Sequence, residues 1–150
     1  MARAVAEALL DMGVNIYFDE RDPVLQTAAA SEDDKAIVDC INDGLDKSTH
    51  LLGLITTNTF KSWWVPYEIG GANGRERKCG HLVAKDVTEL PSYVKVAPLL
   101  LDIDDLAGWV SKKSTLYKKE KIKGSITPLN KMVIASYIPE YRSSANIMFY

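Results

Sequence analysis

Apolar positions along the first 110 residues switch repeatedly between a helical and a strand-like period. In residues 2–12, Val5, Leu9 and Met12 form one stripe with Ala2, Ala6 and Ala8 beside it, and Gly13 stands where a helix C-cap glycine belongs. Val14-Asn15-Ile16-Tyr17-Phe18 is rich in β-formers and alternates only partly, which predicts a buried parallel strand. Asp19 to Pro23 is then the loop leaving its C-terminal end. The stretch through Ala28-Ala29-Ala30 has no clear period. Ser31 with Asp34 reads as a variant capping box ahead of an amphipathic helix carrying Ile37, Cys40, Ile41 and Leu45 and closing near Gly44. His50 to Thr56 is a second buried strand, followed by the polar loop Thr57-Asn58-Thr59.

Ser62 is placed to cap the next helix, in which Trp64, Tyr67, Glu68 and Gly71 fall at i, i+3, i+4 and i+7 on one face. Pro66 is compatible only with its first turn, and the helix is expected to end before Gly80. His81 to Ala84 and Val94 to Leu101 read as a third and a fourth strand. Asp102 and Asp104 can cap a last helix carrying Leu106, Trp109 and Val110. The order α-β-α-β-α-β-β-α, with continuous apolar strands, predicts an α/β fold with an open parallel sheet and helices on both faces. Ligands of such sheets bind at the carboxyl ends of the strands. The acidic loop at 19–23 and the start of the Trp-rich helix both lie on that edge. From Ser111 the chain turns lysine-rich, and Met132 to Ile138 restores a strand-like run. The expected organisation is a domain over 1–110 and a basic extension over 111–150.

Composition narrows the function classes. A hydrophobic fraction of 47% and a charged fraction of 25% describe a globular chain. No apolar run approaches the roughly 20 residues that span a bilayer, and the N-terminus lacks the basic-then-apolar order of a signal peptide, so no membrane partner and a cytoplasmic location are expected. Cys40 and Cys79 form no Cys-x-x-Cys pair and have only His50 and His81 as further soft ligands, which argues against a metal site. The net charge of −2 divides unevenly, −8 over residues 1–110 and +6 over 111–150. The lysines at 112, 113, 118, 119, 121 and 123 have little aromatic interleaving, so a solvated or self-neutralising tail is favoured over a nucleic-acid site.

Motifs for the commoner chemistries are missing. Neither Gly70-Gly71 nor Gly74 has the spacing of a phosphate loop, and no Ser-His-Asp set can be assembled. Glu32, Asp33 and Asp34 adjoin a helix start, where the dipole favours acids. By spacing alone Glu68 is an ordinary helical glutamate, and at least one of Trp63 and Trp64, about 100° apart on a helix, packs into the core.

The run from Ser48 to Gly71, which contains Trp64-x-x-x-Glu68, resembles the core of a bacterial Toll/interleukin-1 receptor (TIR) domain with its Trp-x-x-x-Glu signature. Val14 to Pro23 is similar to the family's second strand and the loop over its nucleotide pocket. Leu90-Pro91, the following apolar strand and Asp102 to Val110 are similar to its last strand and helix. The resemblance covers about residues 2–110 and implies a flavodoxin-like open parallel sheet. Many bacterial TIR domains release nicotinamide from NAD, and several act in antiphage defence by depleting NAD or making a cyclic ADP-ribose signal. On that model Glu68 is catalytic, bonding the hydroxyls of the nicotinamide-bearing ribose, while Trp64, Asp19 and Arg21 bind substrate. NAD is the substrate, and no cofactor is required. Self-association and an effector protein that senses the product are the implied partners. A non-catalytic adaptor working by self-association is the alternative, and a base- or deoxyribosyl-exchange enzyme of related fold lacks a supporting motif. The family's usual first, central strand has no counterpart before residue 2. Either the true start codon lies upstream or another segment takes that place, and Met132 to Ile138 is expected to insert there.

Overall fold

The computed structural model describes residues 1–18, 21–113 and 128–137. Strands His50–Ile55 (β1), Lys78–Val83 (β2) and Leu99–Leu100 (β3) form a parallel sheet in the order β1-β2-β3, with His50 opposite Lys78 and Ile55 opposite Val83. Five successive residues of β2, from Cys79, are buried. An apolar run covered on both faces is what a central parallel strand requires.

Helices Ala2–Asp11 (α1), Pro23–Ala30 (α2), Asp34–Lys47 (α3), Trp64–Gly74 (α4), Ile103–Lys113 (α5) and Pro128–Ala135 (α6) supply that cover. Alternation along the strands divides the core in two. Leu52, Leu54, Leu82 and Leu100 pack with Val5 and Leu9 of α1, Leu106 and Val110 of α5 and Ile134 of α6. On the opposite face Leu51 and Cys79 join Ala28 of α2, Ile37, Ile41 and Leu45 of α3, and Ala72 of α4. The fold is therefore a mixed α/β layer structure built on a three-stranded parallel sheet.

Local chemistry explains the helix ends. Asp22 caps α2, its Oδ1 accepting from Val24 and Leu25 N–H, and Pro23 takes the first helical position, where a missing amide proton costs nothing. The stretch has no clear apolar period and is not among the helices that the sequence predicts. Asp33, not Ser31, caps α3 by accepting from Ala36 N–H. Ser31 instead closes α2, its hydroxyl donating to Thr27 and Ala28 carbonyls. α3 runs past Gly44 to Lys47, where Arg77 donates to the Leu45 and Asp46 carbonyls of the last turn. Asp102 caps α5 through Asp105 N–H.

Three expected strands differ. Val14 to Phe18 belongs to no ladder, because a strand needs a neighbour and none pairs with it among the described residues. Over 94–101 a short 3-10 helix, Ser92–Val96, takes the first three residues of the expected strand, following the turn-forming Pro91, and only Leu99 and Leu100 are paired after Pro98. Residues 132–135 are helical, not strand-like. Pro128 starts α6, and a helix turns Ile134 into the core while Met132 and Val133 stay exposed. The described part of this segment does not insert into the sheet, and Ile138 lies outside the described residues. Among those residues, no helix is long and apolar enough to cross a membrane.

Candidate functional site

The loop that follows β1 fixes where α4 begins. Thr59 is buried, and its hydroxyl donates to Leu54 O at 3.0 Å while accepting from Thr56 N–H at 2.8 Å. The chain is thereby folded back over the carboxyl end of β1, and Ser62 N–H bonds Thr59 O. Ser62 is not the cap of α4. Trp63 takes that place with no side-chain hydrogen bond, and Pro66 lies in the first turn.

α4 is held onto α3 by a side-chain network. Asn42 Nδ2 donates to the Tyr67 hydroxyl at 3.1 Å, Arg75 Nη2 donates to Asn42 Oδ1 at 2.9 Å, and Arg75 Nε donates to Asp46 Oδ1 at 2.6 Å. That last bond holds the Asp46 carboxyl below its usual range. Gly71 allows the close approach, since a β-carbon there would stand 2.9 Å from Leu45 Cδ1.

These contacts decide what the two tryptophans do. Trp64 packs against the α3/α4 core and meets Tyr67 edge-on, with ring centroids 6.2 Å apart and planes at 88°. Trp63 is 90% exposed, beside Phe60 at 40% and Tyr67 at 38% in the same stretch. Trp64 is thus an anchor of the helix that carries Glu68, and the freely presented aromatic is Trp63. Sequence spacing could show that the two rings diverge, but not which one the core would take. Glu68 is half-buried, one turn beyond Trp64 and next to the buried Ile69.

The other two candidates lie elsewhere. Asp19 is outside the described residues. Arg21 is exposed, bonds Glu7 of α1 at 3.0 Å and stands over the Phe18 ring at 5.9 Å. With Leu10, Ile16, Tyr17, Phe18 and Asp22 it lines a cleft of about 310 Å³. Asp22 is held by the Tyr17 hydroxyl at 2.6 Å, which keeps its carboxyl below the usual range, and the Tyr17 ring rests on Gly44 of α3. Trp64 and Glu68 line neither this cleft nor the roughly 490 Å³ cleft between α1 and α6. The contacts described do not bring Arg21 to Glu68.

The sheet holds a histidine to which the sequence assigned no role. His81, on β2, is fully buried, its Nδ1 is 2.6 Å from Val94 O, and its Nε2 has no hydrogen-bond partner among the described residues. Burial lowers its pKa, so the ring is kept neutral. Cys79 is buried on the same face, and burial pushes its thiol up. Among the described residues no group of three or more His, Cys, Asp or Glu side chains is gathered so as to hold a metal ion.

No protein-family model matches the chain, and no curated protein matches it significantly.

Proposed function

We propose that this chain is a TIR-like enzyme that cleaves NAD at the nicotinamide–ribose bond, with Glu68 as the catalytic carboxylate. The observation that carries the reading is the placement of Trp64 and Glu68 one turn apart on α4, immediately after the carboxyl end of β1, with Glu68 half-buried. That is the edge where parallel sheets bind ligands. As the bond from ribose C1′ to the nicotinamide nitrogen breaks, its electron pair leaves with nicotinamide and positive charge develops on the sugar. A carboxylate held in a partly dry site stabilises that charge more than water does. Water adding to C1′ with loss of a proton gives ADP-ribose, and attack by another group of the same molecule gives a cyclic product. Trp64 positions Glu68 by locking α4 to α3. In the proposed assembly the chain functions in bacterial defence or signalling, self-associates, and passes a product signal to an effector protein.

A non-catalytic adaptor is the second reading, favoured by one observation, the 90% exposure of Trp63. Incubating concentrated protein with NAD and following nicotinamide release separates the two. Loss of release by about 10²-fold or more in Glu68→Ala is expected of an electrostatic catalyst. Equal rates in wild type and variant would remove Glu68 from the chemistry. No release by a concentrated, self-associated wild type would leave the adaptor.

A further inference from the structure

Two stripes of side chains run along the start of α4. Trp63, at the cap, already has helical backbone angles (φ −78°, ψ −25°), so helical spacing holds from residue 63 onward. Trp63 and Tyr67 fall at i and i+4, and Trp64 and Glu68 form the same pair one residue further on. Successive residues stand about 100° apart round the axis, so the two stripes lie side by side over the first turns.

The Trp64 stripe is explained by packing and by the proposed chemistry of Glu68. The Trp63 stripe is not. The Trp63 side chain belongs to none of the core clusters and makes no hydrogen bond or ring contact among the described residues. A single exposed apolar side chain is unremarkable, but the fold holds this one in place from both sides. Ahead of it, Thr59 ties the loop to Leu54 and Thr56. Behind it, Tyr67 is bonded to Asn42 of α3 and stands edge-on to Trp64. An open indole face is thus presented on a rigid support at the carboxyl edge of the sheet.

Such a face takes a flat heteroaromatic ring by stacking, which needs no hydrogen-bond match because every nucleobase has a π-face. The position of Glu68 decides which ring. With the reacting ribose on the Trp64–Glu68 stripe, the neighbouring stripe falls to the other end of the same molecule, and the flexible diphosphate link lets the two nucleosides lie side by side. We propose that Trp63, supported by Tyr67, is the stacking platform for the adenine of NAD, an inference that rests on the reading of Glu68 as the carboxylate that meets the reacting ribose. Trp63 is then a specificity residue, selecting dinucleotides over mononucleotides with the same scissile bond.

ADP-ribose keeps the adenine and has no nicotinamide bond to break, so titration calorimetry with it reads binding without turnover. Trp63→Ala is expected to weaken its binding about 10-fold or more, and Trp63→Phe, which keeps an aromatic face, to recover most of the loss. In the release assay KM for NAD should rise by the same factor with kcat kept, while KM for nicotinamide mononucleotide, which lacks the adenine, should not follow. Equal affinity of wild type and Trp63→Ala for ADP-ribose would overturn the proposal. So would no binding by the wild type, or an equal loss with nicotinamide mononucleotide. A variant that keeps its affinity but no longer self-associates would overturn it too, giving the ring to a second copy. Trp63-dependent binding by a protein that releases no nicotinamide would uphold the platform and remove the catalytic reading instead.

Discussion

The imidazole of His81 lies across Gly53 of the neighbouring strand, so closely that a β-carbon at position 53 would stand 2.8 Å from His81 Cδ2. The ring cannot easily move aside, because it is fully buried and its Nδ1 is tied to Val94 O. Gly53→Ala is therefore expected to overpack the core and cost about 1–3 kcal/mol, read from the urea midpoint. A variant as stable as the wild type would show that the ring has room to turn.

The same burial makes stability depend on pH. His81 has a folded pKa lowered from 6.5, first by desolvation and against the opposing bond to Val94. Below pH 6.5 the unfolded chain takes up a proton there that the folded chain resists, so the unfolded state gains and stability falls as pH drops. Above 6.5 both states are neutral at this residue and it contributes no slope. Melting temperatures between pH 8 and 5 should show the wild type losing more stability than His81→Gln across that window. Parallel curves would assign the acid sensitivity to other groups.

Trp63 and Trp64 should separate in a mutational test. Trp64→Ala removes a half-buried ring that packs between α3 and α4, and a loss of about 2 kcal/mol is expected, below the roughly 3–5 typical of a wholly buried aromatic. Trp63→Ala removes a ring that is 90% exposed and should change stability by no more than about 0.5 kcal/mol. Thermal melts of the two variants decide it, and a larger loss from Trp63 would reverse the assignment of the rings.

Elements carried by continuous apolar runs or by caps were legible in the sequence. β1 and β2 lie within a residue or three of the segments that Leu51–Ile55 and Leu82–Val83 announce, and the Asp102 cap fell as expected. What was not legible depended on partners. Val14 to Phe18 has strand composition, but a strand exists only where a neighbour completes its hydrogen bonds, and composition cannot report a neighbour. α2 was hidden because Ala28 is its single buried residue, too few to leave a period. At the candidate site, the Trp64–Glu68 spacing placed both on α4, whereas the departure of Arg21 toward Glu7 followed from a contact between segments 14 residues apart, which no local pattern encodes.

Met132 to Ile134 offers the sharpest contrast between the strand that composition favours and the helix observed. In a strand, residues 132 and 134 share one face, so both would be buried or both exposed. In α6 they point in nearly opposite directions, and Ile134 is fully buried against α1 and α5 while Met132 is 75% exposed. Asn130 adds a tie to α1, its Nδ2 donating to Asp11 Oδ2 at 2.7 Å. Ile134→Ala should therefore cost about 2–5 kcal/mol. Met132→Lys should lie within about 0.5 kcal/mol of the wild type. Denaturant titrations of the two variants check both values. Comparable losses at 132 and 134 would mean that the two side chains share an environment, as in a strand, and would remove α6 from the core that Val5, Leu9 and Leu106 form around it.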